Sequence, residues 1–429
     1  MSETNVVQKG VSKIWVPGRL CLLGEHSDWS SEHSAKNSSV PNGRCLVAAT
    51  PEFGIGAHIS GPSSELSFNA PRLFMRTLGK DGAERVLDVS LDVASLLAIA
   101  REGGFFSHVA GTAATMIKVY ASLILRGGPA ASSLPPAVLP PPPPLISIVV
   151  TKSTLPICVG MSSSAAVCVL VVLAFAAAFD LPCRKDRDEV RDLAYRGERE
   201  TPSRCGRMDQ VACAYGAVEG PIYDGDGDGD GDGEESFYPS SLHGSAHPNG
   251  EVQSEPFFHV TFDGTHAIKV DAILPPPNFK LHLLLVDLCA SKDTKMILTS
   301  LQSAYPFPSC AAHSALHSLL GPDNLRVQAA AAAALKAGDA PALGRIMNQA
   351  QDLFDEKARP LCREQLESPK LHAVIGSLPV RNMALGAKGV GSQGDGMAQI
   401  LVNSEAEGTE LASALIALFG DIKIMRIAV

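Results

Sequence analysis

Apolar and polar positions follow two periods along the chain, and the two periods predict different elements. The two-residue period and apolar runs typical of strands occur at 14–23, 145–151 and 280–288. The spacing typical of helices occurs at 165–179, 186–196, 208–217, 293–303, 323–337, 341–355 and 409–419, with two further strands at 398–402 and 422–428. The mixture predicts an α+β fold.

Two stretches of low complexity interrupt this pattern. Proline has no amide donor and a fixed φ, so the proline-rich stretch 129–144 is expected to be an extended surface insertion, with an SH3-type ligand as the weaker alternative. The Asp-Gly repeat at 224–233 is expected to be an acidic loop, with metal binding as its alternative. The proline cluster at 275–277 predicts the boundary between an N-terminal domain, 1–275, and a C-terminal domain, 278–429.

Composition and charge narrow the class of protein. The 429 residues are 45% hydrophobic, which is typical of a chain with packed cores. The net charge of -9 and the lack of a basic block argue against nucleic-acid binding, since that depends on Lys and Arg. The longest apolar run, 165–179, is shorter than the roughly 20 residues needed to cross a bilayer. We therefore expect a soluble, cytoplasmic protein without a membrane partner.

The segment Pro156–Leu170, PICVGMSSSAAVCVL, runs from a Gly/Ser turn directly into an apolar helix. Small residues let backbone amides approach an anion, and the first N–H groups of a helix attract negative charge. The segment therefore predicts a phosphate cradle. It lacks the GK[ST] ending of a Walker A loop. The alternative is a serine-rich N-cap on a buried helix.

The segment Val16–Trp29, VPGRLCLLGEHSDW, ends a predicted strand with Glu25, His26 and Asp28 beside an indole. Several polar groups next to an aromatic ring suit a polyhydroxylated ligand, whose hydroxyls need partners and whose apolar face can stack. A metal site that includes His33 and a plain polar turn are the alternatives.

In Gly197–Gly216, GERETPSRCGRMDQVACAYG, an aspartate lies near the start of a predicted helix. Asp209 falls off the apolar face of that helix, where the helix dipole keeps a carboxylate ionised. This placement suits a base, or an electrostatic orienter of a hydroxyl nucleophile. The alternative is an aspartate that only stabilises the first turn.

The segment Leu385–Val402, LGAKGVGSQGDGMAQILV, satisfies GxGxxG through Gly389, Gly391 and Gly394. A dinucleotide site requires a helix after this pattern, and here a strand is predicted at 397–402. We expect instead a glycine loop between two strands that approaches a substrate or phosphates.

Together and in this order, these four segments resemble the motifs of the GHMP kinases, and PGRLCLLGEHSD and CGRMDQ resemble those of galactokinases in particular. PICVGMSSSAA resembles the phosphate loop of the family, and GAKGVGSQGDG its C-terminal glycine motif. The resemblance implies a ribosomal-S5-like N-terminal domain, a ferredoxin-like C-terminal domain, and a site for ATP and Mg²⁺ in the cleft between them.

The resemblance also implies roles for individual residues. Asp209 would be the base or orienter for the attacking hydroxyl, and Arg19 the catalytic cation beside it. Glu25, His26 and Asp28 would bind sugar hydroxyls.

The cofactor positions follow from the same resemblance. Ser164 would be a Mg²⁺ ligand, and Glu198 a second one. Residues around ATP would be Gly160, Met161, Ser162, Ser163, Ser164, Ala165 and Ala166, with Gly389, Gly391 and Gly394 shaping the cleft.

The function implied is ATP-dependent phosphorylation of a sugar hydroxyl, with the anomeric position of galactose or a related monosaccharide as the first candidate. Kinases of the same family acting on a uronic acid, arabinose, a heptose or mevalonate are alternatives, although carboxylates near the pocket would repel the anionic mevalonate. A galactokinase-like sugar sensor without catalysis is a third alternative. We expect a monomer or a weak homo-oligomer.

Overall fold

The strands form two separate sheets, one built from the first 273 residues and one from the last 148. The computed structural model describes residues 12–61, 71–79, 81–125, 145–155, 161–203, 205–221, 256–264 and 267–429. The insertions predicted at 129–144 and 224–233 lie outside the described residues. The α+β class predicted from the sequence pattern is confirmed.

The first sheet has eight described strands in the order β4-β3-β5-β2-β1-β6, and β7 and β8 extend from β2. The pairs are antiparallel except for β3 with β5. The strands are β1 (Ser12–Leu23), β2 (Gly43–Ser60), β3 (Arg72–Leu78), β4 (Glu84–Ser90), β5 (Leu145–Ser153), β6 (Val218–Pro221), β7 (Phe257–Phe262) and β8 (Ile268–Ile273).

Six described α-helices belong to the same part of the chain as this sheet, and the most apolar of them is central. The helices are α1 (Ser27–Ser31), α2 (Val93–Glu102), α3 (Ser107–Ile124), α4 (Ser163–Phe179), α5 (Arg187–Glu198) and α6 (Asp209–Tyr215). Helix α4 packs against α3, α5, β1 and β2, and it is apolar on all sides because all sides are covered. A short 3₁₀ turn, Pro182–Lys185, leads from α4 into α5.

The second sheet has four strands in the order β10-β11-β9-β12, all antiparallel. Its central strand β9 (His282–Asp287) is buried on both faces: Leu283 and Leu285 belong to one apolar cluster, and Leu284 and Val286 to another. The remaining strands are β10 (Gly386–Gly389), β11 (Met397–Val402) and β12 (Lys423–Ala428).

Eight helices of the C-terminal part surround this second sheet. They are α7 (Thr294–Gln302), α8 (Ala311–Ser318), α9 (Asn324–Ala337), α10 (Ala340–Lys357), α11 (Arg363–Leu366), α12 (Pro369–Ile375), α13 (Leu378–Met383) and α14 (Glu405–Phe419). Asp293, Asp339 and Ser404 cap α7, α10 and α14 by accepting a hydrogen bond from an amide of the first turn.

The two sheets share one apolar core. The largest buried cluster contains Ile14 and Val16 of β1 together with Leu283 and Leu285 of β9. Helix α9 contributes to this shared core because it packs against β2 of the first sheet. The predicted break at 275–277 falls between β8 and β9, where the chain passes from one sheet to the other. The domain limits 1–275 and 278–429 stay a prediction.

A charged pair joins α10 and α12 at the edge of the second sheet. Nε2 of His372 lies 2.9 Å from Oδ2 of Asp355, and Nδ1 of His372 faces the carbonyls of Glu367 and Ser368. The bond with Asp355 is the main cause that raises the pKa of His372 to about 9. The folded state therefore binds a proton at His372 more tightly than the unfolded chain, in which the pKa of histidine is about 6.5.

We predict that this pair makes stability fall as the pH rises. Its contribution is fully present below pH about 6.5 and is lost as the pH passes the folded pKa, with a size on the order of 1–2 kcal/mol after allowance for solvent screening. Urea unfolding of the unmodified protein and of His372→Gln at pH 6 and pH 9.5 measures it. The two proteins should differ at pH 6 and converge at pH 9.5; an equal difference at both pH values would contradict the prediction.

Candidate functional site

A tight turn after strand β1 begins the site. Gly24 has a φ of +94°, in the left-handed region, and a Cβ on it would overlap the carbonyl oxygen of Arg44. His26 also lies in the left-handed region, with a φ of 70°, and leads into the short helix α1. The turn therefore carries Glu25, His26 and Asp28 away from the end of β1 in different directions.

Arg19, Ser162 and Asp209 meet although they come from three separate segments. Nη2 of Arg19 donates to Oδ1 of Asp209 in an ion pair, and the hydroxyl of Ser162 donates to the same oxygen at 3.1 Å. The backbone amide of Arg19 also donates to the carbonyl of Met161 at 3.1 Å. The side chain of Asp209 remains 19% exposed. A charge-paired carboxylate therefore lies beside the start of α4, within reach of a ligand.

The described part of the predicted phosphate segment, 161–170, enters α4, whereas residues 156–160, which include Gly160, lie outside the described residues. Ser162 occupies the N-cap position with a φ of 54°, but its hydroxyl binds Asp209 instead of capping the helix. Met161, Ala165 and Ala166 are buried, whereas the three serines Ser162–Ser164 are half-buried. The first amides of α4 are thus not capped by Ser162, which leaves them suited to an anion.

Asp28 supports the segment that carries Asp209. Its side chain is buried, and Oδ2 accepts a hydrogen bond of 3.0 Å from the backbone amide of Arg207. Burial raises the pKa of the Asp28 carboxyl, and bonds from the backbone of Trp29 and Arg207 act against that rise. A Cβ on Gly206 would overlap Oδ2 of Asp28. The structure thus gives Asp28 a clear supporting contact, while its predicted bond to a sugar stays a prediction.

His26 is held as a neutral hydrogen-bond donor. Its Nδ1 accepts from Nε1 of Trp29 at 3.1 Å, so the ring proton is assigned to Nε2. The ring stacks on Phe354 with centroids 6.0 Å apart. Burial, followed by the charges of Lys292 and Lys388, lowers the pKa of His26 to about 4. Nε2 is buried and has no hydrogen-bond partner among the described residues, as expected of a group that serves a ligand.

Glu25 forms an ion pair across the molecule. Nζ of Lys388, in β10 of the second sheet, donates to Oε1 of Glu25, at the end of β1 in the first sheet. The side chains are 1% and 8% exposed, so each charge needs the other. The C-terminal glycine segment, Leu385–Val402, is therefore attached directly to the segment Val16–Trp29.

Glu198 is buried behind α6. Its carboxylate accepts from Nε2 of Gln210 at 2.8 Å and from the hydroxyl of Ser203 at 3.2 Å. No hydrogen bond joins it to Ser164 in the described part of the chain, and no cluster of three or more metal-ligating side chains is found there. Mg²⁺ is usually held by one or two carboxylates together with water and substrate phosphates. The carboxylate of Glu198 has lone pairs beyond these two bonds, but no contact among the described residues joins it to Ser164, so their shared Mg²⁺ site stays a prediction.

The glycine loop of the segment Leu385–Val402 lies between strands β10 and β11, as predicted. Gly391 and Gly394 have φ values of +65° and +77°, which explains why glycine is needed at both turns. The amide of Gly389 donates to Oε1 of Gln351 at 2.7 Å, and Nζ of Lys292 donates to the carbonyl of Gln393 at 3.1 Å. A strand follows the loop, so the dinucleotide interpretation is excluded by the structure as well.

Sequence reasoning missed several residues of this region. Lys388 lies inside a segment that was interpreted only through its glycines, and Gln351, Phe354 and Lys292 belong to segments interpreted only as helices or their approaches. The sequence offered a signal only for Lys388, which is a charged residue in a short strand and therefore suggests a buried ion pair. The others are recognisable only from contacts with segments distant in sequence.

Comparison with known proteins places this geometry in a family. Residues 130–217, which carry the phosphate segment and Asp209, match the family described as GHMP kinases N terminal domain. Solved structures of the same family share the fold over almost the whole chain. Residues 130–217 therefore carry a GHMP kinase N-terminal domain, and the chain as a whole has the fold of the GHMP kinases.

Among solved GHMP kinase structures, Lactococcus lactis galactokinase complexed with galactose has a TM-score of 0.60 and 15% identity, covering 98% of this chain and 94% of that chain. L. major mevalonate kinase in complex with R-mevalonate has a TM-score of 0.59 and 16% identity, with coverages of 100% and 98%. Streptococcus pneumoniae phosphomevalonate kinase has a TM-score of 0.60 and 13% identity, with coverages of 98% and 100%. No curated protein sequence matches the chain.

These comparisons confirm the two-domain GHMP kinase fold and indicate a small-molecule kinase whose acceptor is an alcohol or a phosphate. At such low identities the neighbours, which include a galactokinase and mevalonate kinases, do not determine the acceptor of this chain. Among the described residues, no helix is long and apolar enough to cross a membrane.

We predict that Gly206→Ala destabilises the protein by about 2 kcal/mol or more, because the new methyl group displaces the buried carboxylate of Asp28 from the Arg207 amide. Gly104→Ala is the matched control, since nothing lies within 4 Å of a Cβ at that position. Urea unfolding measures both variants. Equal stabilities of the two variants would contradict the prediction, because they would show that the backbone near Gly206 can shift without a loss in the free energy of unfolding.

Proposed function

We propose that the chain transfers the γ-phosphoryl group of ATP to a hydroxyl of a sugar, with the anomeric hydroxyl of galactose or a related monosaccharide as the first candidate. The observation that supports this proposal best is the contact of Arg19 and Ser162 with Asp209. It joins a paired carboxylate to the start of a helix suited to phosphates. Phosphoryl transfer requires little more than such positioning and charge neutralisation.

In the proposed reaction, Asp209 acts on the attacking hydroxyl of the acceptor. Its carboxylate accepts the hydroxyl hydrogen bond and either orients the oxygen or takes its proton as the new P–O bond forms and the bond to ADP breaks. The guanidinium of Arg19 favours the ionised form of Asp209, which can then accept. The amides at the start of α4 hold the phosphates.

ATP and Mg²⁺ are the proposed cofactors. Ser164 and Glu198 would hold the ion, which when bound neutralises negative charge on the phosphates. The serine-rich turn Met161–Ala166 and the glycine loop with Gly389, Gly391 and Gly394 are proposed to surround the nucleotide and the acceptor.

The charges of the acceptor region leave the alternatives within the family open. Lys388 compensates Glu25, and burial favours the neutral form of Asp28, so the repulsion expected for an anionic acceptor is reduced. The panel for a first assay therefore includes galactose, arabinose, galacturonate, a heptose and mevalonate. Sugar binding without ATP consumption on any member would favour the non-catalytic sensor instead.

We predict that Asp209→Asn lowers kcat by about 10²-fold or more while ATP binding stays near normal, because the amide oxygen can still accept from Arg19 and Ser162 but the amide cannot act as a base. A coupled assay of ADP release measures kcat on whichever acceptor the unmodified protein uses. Calorimetric titration measures ATP binding.

The control for this variant is Asp88→Asn, which breaks another Arg–Asp pair, with Arg72 at 2.8 Å, on the outer strands of the first sheet. It should leave both kcat and ATP binding unchanged. Near-normal turnover by Asp209→Asn would remove Asp209 from the proposed role.

A further inference from the structure

Lys388 connects the segment Val16–Trp29 to the C-terminal glycine segment, Leu385–Val402. It lies in β10, is 1% exposed, and its ammonium group has two partners: Oε1 of Glu25 and, at 2.7 Å, the carbonyl oxygen of Gly389. Glu25 and Lys388 are 363 residues apart in sequence. Two fixed acceptors determine where a buried ammonium group lies, so Lys388 holds Glu25 in one orientation.

The strand that carries Lys388 is itself held by side chains. The amide of Gly389 donates to Oε1 of Gln351 at 2.7 Å, and Nε2 of Gln393 donates to the carbonyl of Gly389 at 3.3 Å. Gln351 is buried on α10 and also donates to Asp355 at 3.1 Å. The lysine therefore projects from a backbone that has little freedom to shift.

The second oxygen of Glu25 is the one left for a ligand. Oε1 accepts a hydrogen bond from Lys388. Oε2 accepts none from the described residues, and it is not completely buried. Glu25 and Lys388 line a small cavity of about 50 Å³ together with Phe354 and Gln393. Phe354 also stacks on His26, whose Nε2 lacks a partner in the described part of the chain.

We propose that Lys388 is a positioning residue for acceptor binding: it holds Oε1 of Glu25 so that Oε2 accepts a hydroxyl of the acceptor substrate. This inference rests on the proposed sugar kinase function. Lys388 acts through Glu25 and does not touch the reacting atoms. It makes the acceptor pocket a joint product of both sheets, whereas the Arg19–Asp209 centre belongs to the first sheet alone.

Glu25 depends on Lys388 for its orientation because both side chains are almost completely buried. A carboxylate that is 8% exposed and has lost its cation either takes up a proton or rotates toward water, because an unpaired buried charge is strongly disfavoured. Either change means that the Glu25 carboxylate no longer accepts a hydrogen bond from the substrate hydroxyl. A displacement of about 1 Å in a positioning group can reduce rates by about 10²-fold.

The test begins with Lys388→Met, which keeps most of the side-chain volume and removes the charge. We expect KM for the acceptor to rise about 10-fold or more, while KM for ATP changes less than about 2-fold, because the lost interaction concerns acceptor binding. The acceptor is the panel member that the unmodified protein phosphorylates best. Steady-state kinetics with each substrate varied in turn measure both constants.

Glu25→Gln and the double variant Glu25→Gln with Lys388→Met complete a cycle. If Lys388 acts through Glu25, the double variant has the same acceptor KM as Glu25→Gln alone, within about 2-fold. A further rise of about 10-fold in the double variant would show independent action and overturn the inference. This comparison does not need Lys388→Met to fold: the double variant buries no unpaired charge, and in Glu25→Gln the Lys388 ammonium keeps the carbonyl of Gly389 and the new amide oxygen as acceptors.

Gln399→Leu is the matched structural control. Gln399 pairs with Lys388 in the register of β10 and β11, is fully buried, and also connects the two sheets, because its Nε2 donates to the carbonyl of Leu22 at 2.9 Å. We expect this variant to be less stable but to keep its acceptor KM. If it raises the acceptor KM as much as Lys388→Met does, the lysine only holds the sheets together and the inference is wrong.

The outcomes separate this inference from the function on which it rests. Absence of ATP turnover by the unmodified protein on every acceptor would contradict the proposed function and the inference with it. Normal turnover by the unmodified protein, combined with an unchanged acceptor KM in folded Lys388→Met, would overturn the inference alone.

Discussion

The ion pair between Arg19 and Asp209 is the interaction on which the candidate site depends. Arg19 is 7% exposed in the middle of a strand, and a buried guanidinium requires a carboxylate partner. The chain supplies it from the start of α6, and the same carboxylate receives the hydroxyl of Ser162 before α4. Satisfying one buried charge therefore brings the ends of two helices to one strand.

Strand β1 also organises the second half of the site. Five residues after Arg19, the turn at Gly24 presents Glu25 to Lys388 of the other sheet, and Asp28 turns back to the Arg207 amide near Asp209. One strand and its turn thus determine the distance between the proposed phosphoryl-transfer centre and the acceptor region. Because the apolar core below is shared by both sheets, that distance is supported by packing as well as by polar contacts.

Much of the fold could be predicted from the sequence, because its periods are local properties. The buried strand β9, the apolar helix α4 and the loop between β10 and β11 were predicted near the bounds that the structure gives. Helices α2 and α3 were not predicted. Their apolar positions do follow the helical period, with Leu96 and Ala100 of α2 buried four residues apart, so this signal was present in the sequence and was missed.

The contacts of the site could not be predicted in the same way. Nothing in the sequence near Glu25 or Lys388 announces a partner 363 residues away, and nothing near Asp28 indicates that its carboxylate binds a backbone amide. These contacts change the chemistry expected from the motif. Glu25, His26 and Asp28 are three polar groups in sequence, but in the structure the first is charge-compensated, the second is a neutral donor, and the third supports the backbone. At the proposed acceptor site, recognition would therefore depend more on the directions of a few hydrogen bonds than on net charge, and the same fold is found in a galactokinase and in a mevalonate kinase.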